Sequence, residues 1–270
     1  IRPEAGYVMA PFDGATLPPT YPTTGGETFG VQGAGVKLIK LIGPFCDRSG
    51  ALHVDINATA ETLLSDGNVF GNIPDGYHAL IQIIFEMPPQ GTRILFSKKN
   101  SSVSVGDAGI AIATLNNNKT TFYMSNGAAQ ATCVSGTRVA GQMYNDVYAI
   151  DRRKTNGIEL WNALAIENTT LNDTSALGAI TNNDQMGLGS YEDGNLPWGA
   201  RICAIAIWMS PDDEFADAFP DLVKEIQLET SGLVEKENGL VPTISAKANP
   251  SLIEIIDPVT NEIDCTTIQD

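Results

Sequence analysis

The chain has 270 residues, of which 16 are basic and 32 acidic, for a formal net charge of −16. That balance argues against nucleic acid as a partner, because such binding rests on Lys and Arg neutralising phosphates. Hydrophobic residues make up 43% and charged residues 18%, a globular composition with material for a sizeable core. The longest apolar runs, at 79–85 and 202–209, fall far short of the ~20 residues of a membrane helix, so no membrane insertion is expected.

The first 35 residues are rich in Pro, Gly and Thr and read as an extended N-terminal arm with one strand near Tyr7–Ala10. "VKLIKLIG" and "ALHVDINA" follow as strands, and "TAETLLS" (59–65) as a small helix. Next come strand candidates at meander spacing: "YHALIQIIFEM", "TRILFSKK", "GIAIATLNN", "TTFYMSN", "AATCVSGT", "MYNDVYAIDRR" and "GIELWNALAIEN". Turn signals separate them, the clearest being Lys-Thr-Asn-Gly at 154–157, and their spacing indicates an antiparallel sandwich.

In "RICAIAIWM" (201–209) both faces are apolar, so the strand is expected to be covered on both sides. Ser210 and Pro211 then offer a cap and a first helical residue, and Asp212, Asp213 and Glu214 favour the positive end of a helix. Pro220 is expected to stop that helix after Phe219, and a second helix is expected from Pro220 to Gly232. This divides the chain into an arm (1–35), a sandwich (36–230) and an extended tail (231–270).

The order of elements resembles the concanavalin A-like lectin and glucanase superfamily, of the laminin-G or pentraxin-like jelly-roll type. The hairpin "DRRKTNGIELWNAL", with Asp151, Leu160, Trp161 and Asn162, carries the resemblance, as do "MGLGSY" and the closing "GARICAIAIWMSPDD". The resemblance covers roughly residues 5–220 and implies an all-β jelly roll with one or two short C-terminal helices. It also implies carbohydrate recognition, although fold alone does not fix function. The alternating Glu-Asp-Glu strand of laminarinase-like relatives is absent; the nearest acidic cluster, Glu254, Asp257 and Glu262, lies in the tail with a different spacing.

Among site candidates, the loop 189–199 is the richest. Tyr191 and Trp198 offer aromatic faces for sugar C–H surfaces, and Glu192, Asp193 and Asn195 offer hydrogen-bonding groups. The bland alternative is a loop whose Trp packs on the sandwich edge. Asn182, Asp184 and Asp193 are oxygen donors that suit Ca²⁺, the one cofactor the sequence suggests; the alternative is solvated turns. His53 and His78 lie inside strand patterns and read as structural. Cys46, Cys133, Cys203 and Cys265 form no CxxC pair, which argues against zinc and leaves three disulfide pairings open.

The expected function is therefore a non-catalytic carbohydrate-recognition or adhesion protein, extracellular or on a virion surface, with a glycan or cell-surface polysaccharide as partner. A second reading is a structural component of an assembly, such as a capsid decoration, fibre or tail protein, with a homo-oligomer or neighbouring virion subunits as partners. The third, a glycan-cleaving enzyme, needs a marked carboxyl pair that no spacing supplies.

Overall fold

The computed structural model describes residues 5–8, 20–22, 28–32, 37–41, 49–53, 62–65, 67, 71–99, 102–169 and 173–237. The strands among them, in chain order, are β1 (Ala5–Val8), β2 (Thr20–Pro22), β3 (Thr28–Gln32), β4 (Lys37–Leu41), β5 (Ser49–His53) and β6 (Thr62–Ser65). There follow β7 (His78–Glu86), β8 (Arg93–Ser97), β9 (Gly109–Thr114), β10 (Thr120–Ser125) and β11 (Gln130–Val134). The last are β12 (Met143–Ile150), β13 (Ile158–Asn162), β14 (Ala165–Thr169), β15 (Gly187–Leu188) and β16 (Arg201–Ser210). Two helices close the described region, α1 (Asp213–Asp217) and α2 (Phe219–Glu237).

The strands form two antiparallel sheets. One runs β14-β13-β12-β7-β16-β5-β4, with β1 also on β16; the other runs β11-β10-β9-β8-β15-β6-β3-β2. This is an all-β sandwich, as the strand spacing indicates. Its interior holds Ile81, Ile83 and Phe85 of β7, Ile110 and Ile112 of β9, Phe122 of β10 and Tyr148 of β12. Phe122 and Tyr148 stack across the two sheets with ring centroids 4.8 Å apart.

Part of the outer face of the first sheet, on β7, β12 and β13, is also dry. Leu80, Val147, Ala149 and Trp161 pack against Phe215, Ala216, Phe219 and Val223 of the helices. Each large side chain so covered contributes roughly 1.5–3 kcal/mol. This is why β7 and β16 carry apolar residues on both faces. A bulge between Ile202 and Ala204 changes the alternation, so Ile202 joins Ile205, Ile207 and Met209 in the interior while Trp208 packs under the helices.

Several local expectations are corrected. The segment read as a helix at 59–65 contains β6, which pairs with β3 and β15; so short an apolar run takes its form from its tertiary partners. Where one strand was expected near Tyr7–Ala10, the described residues among the first 35 hold three, β1, β2 and β3, and all three pair into the two sheets. "GIELWNALAIEN" is two strands, reversed at Ala163 (φ 49°) and Leu164 (φ 65°). No glycine announces that turn. Gln227 of α2 holds it, accepting the Leu164 N–H and donating to the Asn145 and Trp161 carbonyls.

Helix α1 begins three residues after Ser210, with Asp212 rather than Ser210 at its N-cap, and the Ser210 hydroxyl accepts the Asp212 N–H at 3.1 Å. Pro220 does not end a helix; it sits in the first turn of α2, where its missing N–H costs nothing, and α2 continues past Gly232 to Glu237. Cys133 is a buried free thiol whose pKa burial pushes up to about 12, which keeps it protonated. Cys46, Cys265 and the side chain of Cys203 lie outside the described residues.

Candidate functional site

The loop 189–199 folds inward. Trp198 is fully buried, its Nε1 donates to the Glu86 carbonyl at 3.0 Å, and its ring meets Phe85 edge-on at 5.6 Å. Tyr191 is buried against Ile94, Ala113 and Tyr123 on the outer face of β8–β10, and burial pushes its hydroxyl up to about 12. Neither ring presents a face to solvent, so the stacking platform expected of Tyr191 and Trp198 is corrected: both rings are committed to packing. Asp193 and Asn195 are exposed, and the Asp193 carboxylate accepts the backbone and side-chain N–H groups of Asn195.

The cation candidates are likewise engaged. The Asn182 side-chain nitrogen donates to the Lys98 and Ala108 carbonyls, and its oxygen accepts the Asp184 N–H at 3.2 Å. The Asp184 and Glu192 carboxyls are both pushed up, first by burial and then by neighbouring carboxylates, while Lys98 pulls them down. Among the described residues, no three or more His, Cys, Asp or Glu gather where a metal ion would be held.

Positive charge reaches this region through two lysines that the sequence reading passed over. Lys98 and Lys99 follow directly on β8 and are both 0% exposed. Lys98 Nζ donates to the Asp184 carbonyl; Lys99 Nζ donates to the carbonyls of Ser104 and Asp107. Burial lowers the Lys99 pKa to about 8 against the pull of Asp107. Together these bonds stitch the segments 98–108 and 181–185, and Lys98 couples to Glu192 in the loop beyond. The sole signal in the sequence was a Lys-Lys pair continuing an apolar strand.

An open cleft lies elsewhere, where the β12–β13 turn meets the junction of α1 and α2. Its volume is about 170 Å³, and Ala149, Ala216, Phe219 and Pro220 supply its apolar lining. Asp151, Glu159, Asp217 and Lys154 supply the polar lining, and Gly157 completes it. The turn is closed by the Asp151 N–H on the Gly157 carbonyl at 2.7 Å. A Cβ at Gly157 would come 2.1 Å from the Asp151 carbonyl oxygen and 2.0 Å from Thr174 Oγ1, so close approach requires glycine here.

Charged side chains tie the turn to the helix. Arg153 donates to both Asp151 oxygens at 3.0 Å and to Asp217 at 2.7 Å, and Lys154 Nζ is 3.2 Å from Asp151. Burial raises the Asp151 pKa, but the bonds from Arg153 and Lys154 outweigh it and hold the carboxyl down at about 2. Buried His78 joins the same network: Nδ1 accepts the Arg152 N–H at 3.1 Å, which leaves Nε2 to donate to Asp213 at 3.2 Å. These bonds tie β7 to the β12–β13 turn and to α1.

A third polar cluster closes one side of the sandwich. Arg138 donates to Asp146 at 2.9 Å and to Glu167 at 2.6 Å, and Asn162 donates to Asp146 at 2.8 Å. Complete burial pushes Asp146 up to about 6 despite Arg138. Attraction to its two acidic partners raises Arg138 in turn, although burial opposes it. The raised carboxyl is thus locked inside the wall and takes no part in lining the cleft.

No protein-family model matches the chain, and no curated protein matches it by sequence. Solved structures do match it. The binding domain of botulinum neurotoxin serotype G aligns at 11% identity and TM-score 0.54, over 83% of this chain and 51% of that one. The ligand-binding domain of serotype D in complex with N-acetylneuraminic acid aligns at 10% identity and TM-score 0.51, over 82% and 50%. A type C structure, whose cell entry depends upon interaction with two ganglioside molecules, aligns at 9% identity and TM-score 0.53, over 82% and 51%. The chain spans about half the length of these domains, and at such identities the likeness is one of fold.

Proposed function

We propose that the chain is a non-catalytic carbohydrate-recognition sandwich of the concanavalin A-like superfamily, acting outside the cell or on a virion surface. The observation that carries this reading is the cleft at the β12–β13 turn, with apolar residues beneath a mixed set of hydrogen-bonding side chains. A sugar ring has the same two characters, C–H faces and hydroxyl edges. The cleft is smaller than the roughly 300–1,000 Å³ of pockets for drug-sized ligands, so one ring rather than an extended chain suits it. The fold shared with domains solved with N-acetylneuraminic acid, or dependent on gangliosides, supports glycan recognition as the class of function.

A binding role suits the cleft better than hydrolysis. Glycosidic cleavage needs a carboxyl that keeps its proton near neutral pH. Asp151 is held ionised by Arg153 and Lys154, the opposite arrangement. The test is binding of the purified chain to a broad glycan panel, repeated with calcium and with a chelator. Saturable binding without turnover is expected; release of reducing sugar, or no binding across the panel, overturns the reading. Loss of binding in chelator would show that a cation takes part in recognition.

One observation favours the second reading, a subunit of an assembly. Leu164 and Ile166 on the β13–β14 hairpin and Leu228 on α2 are exposed apolar side chains, and the Leu164 N–H on Gln227 brings hairpin and helix together. Edge strands that leave apolar side chains open invite pairing. A defined oligomer in solution, without glycan binding, would move the function to this reading.

A further inference from the structure

We infer that the cleft selects an uncharged terminal sugar and rejects a sialylated one, so that its ligand differs in charge from the N-acetylneuraminic acid found with a structure of similar fold. The inference rests on the proposed glycan role and names the ligand class of that same cleft.

The charges lining the cleft carry it. Three carboxylates, those of Asp151, Glu159 and Asp217, face it beside the single ammonium of Lys154. Asp151 is saturated by Arg153 and Lys154, so it sets the electrostatic floor without an acceptor to spare. Glu159 accepts the Trp161 indole N–H through Oε2 at 3.1 Å, and Asp217 accepts Arg153 through Oδ1. Oε1 of Glu159 and Oδ2 of Asp217 take no hydrogen bond from the described residues and remain for a ligand. The Asp217 side chain is 69% exposed, at the mouth of the cleft.

Lys154 does not reverse this balance. Its ammonium lies 3.2 Å from Asp151, so its charge is largely spent within the protein, and what it offers a ligand is N–H donors. The site therefore presents two open acceptors and one donor above an apolar lining. That combination matches a polyol, which donates through hydroxyl hydrogens and accepts through hydroxyl oxygens. A carboxylate-bearing sugar would place its charge beside Glu159 and Asp217, and like charges brought together across an interface oppose binding. The chain's net charge of −16 acts in the same direction at longer range and weakens with salt.

The test uses immobilised glycan pairs that differ only in one terminal sialic acid, with the wild-type chain, Glu159→Gln and Asp217→Lys. Thermal melts confirm that each variant is folded. The neutral member of a pair is expected to bind roughly tenfold more tightly than its sialylated partner, with a gap that narrows in salt. Asp217→Lys is expected to close most of that gap, and Glu159→Gln to weaken neutral binding. Wild-type preference for the sialylated member would overturn this inference and leave glycan recognition standing. Neutral binding unchanged in both variants would remove the cleft as the site. Binding of neither member would sink the glycan reading itself, and this inference with it.

Discussion

The loop 189–199 and the β12–β13 turn make an instructive pair. The first has the residue types expected of a sugar site, two aromatics and three polar residues within ten positions. Its rings nevertheless turn inward, Trp198 onto Phe85 and Tyr191 onto Ile94 and Tyr123. The second reads as an ordinary charged hairpin turn, yet it borders the open cleft because α1 and α2 fold back across the sheet beside it. Residue type marks what a side chain can do; the surrounding packing decides whether a ligand can reach it.

Electrostatics separate the regions as well. Near the loop, the buried Lys99 is destabilised in its charged form, as its lowered pKa shows. At the cleft, an anion is stabilised in its charged form by neighbours that remain partly in water, as the lowered pKa of Asp151 shows.

The largest effect that sharpens this contrast is on stability. Trp198→Ala is expected to cost about 3–5 kcal/mol in urea unfolding, the range for removing a large aromatic from a core. Glycan affinity of the folded fraction is expected to stay within about twofold of wild type, since Trp198 does not line the cleft. A binding defect without a stability defect would return Trp198 to the ligand.

A second, smaller effect is in pH dependence. The folded pKa of Lys99, about 8, lies below its ordinary 10.5. The unfolded chain therefore binds more protons between those values, and stability gains from this group as pH rises through that window. The difference in stability between wild type and Lys99→Met should grow in favour of wild type from pH 8 to 10.5, by on the order of 2 kcal/mol. Asp151 has the opposite window. Its stabilising contribution is complete above the ordinary value of 3.8 and is lost as pH falls towards 2. An Asp151→Asn chain should accordingly show a flatter acid limb than wild type below about pH 4.

Much of the fold was legible in the sequence because its strands are long or strongly apolar. The β7 and β16 segments could hardly be anything else, and the turn at 154–157 lies between β12 and β13 as expected. What escaped notice depends on contacts distant in sequence. Thr62–Ser65 is a strand because β3 and β15 flank it, and the reversal at Ala163–Leu164 holds because Gln227 satisfies its backbone from another element. The site was less legible for the same reason. Lys98 and Lys99 close the strand candidate "TRILFSKK" with no local mark of burial, and only the fold over them supplies the carbonyls that permit it. The acidic residues at 212–214 were legible as a helix start, but nothing local revealed that the helix would form one wall of a cleft.

Amide hydrogen exchange with and without a saturating panel-selected glycan tests the account most directly, because it sees both regions in one experiment. Slowed exchange concentrated in residues 151–157 and 213–220, with 189–199 unchanged, is the expected result. Slowed exchange confined to 189–199 would contradict the account and restore the loop as the binding site.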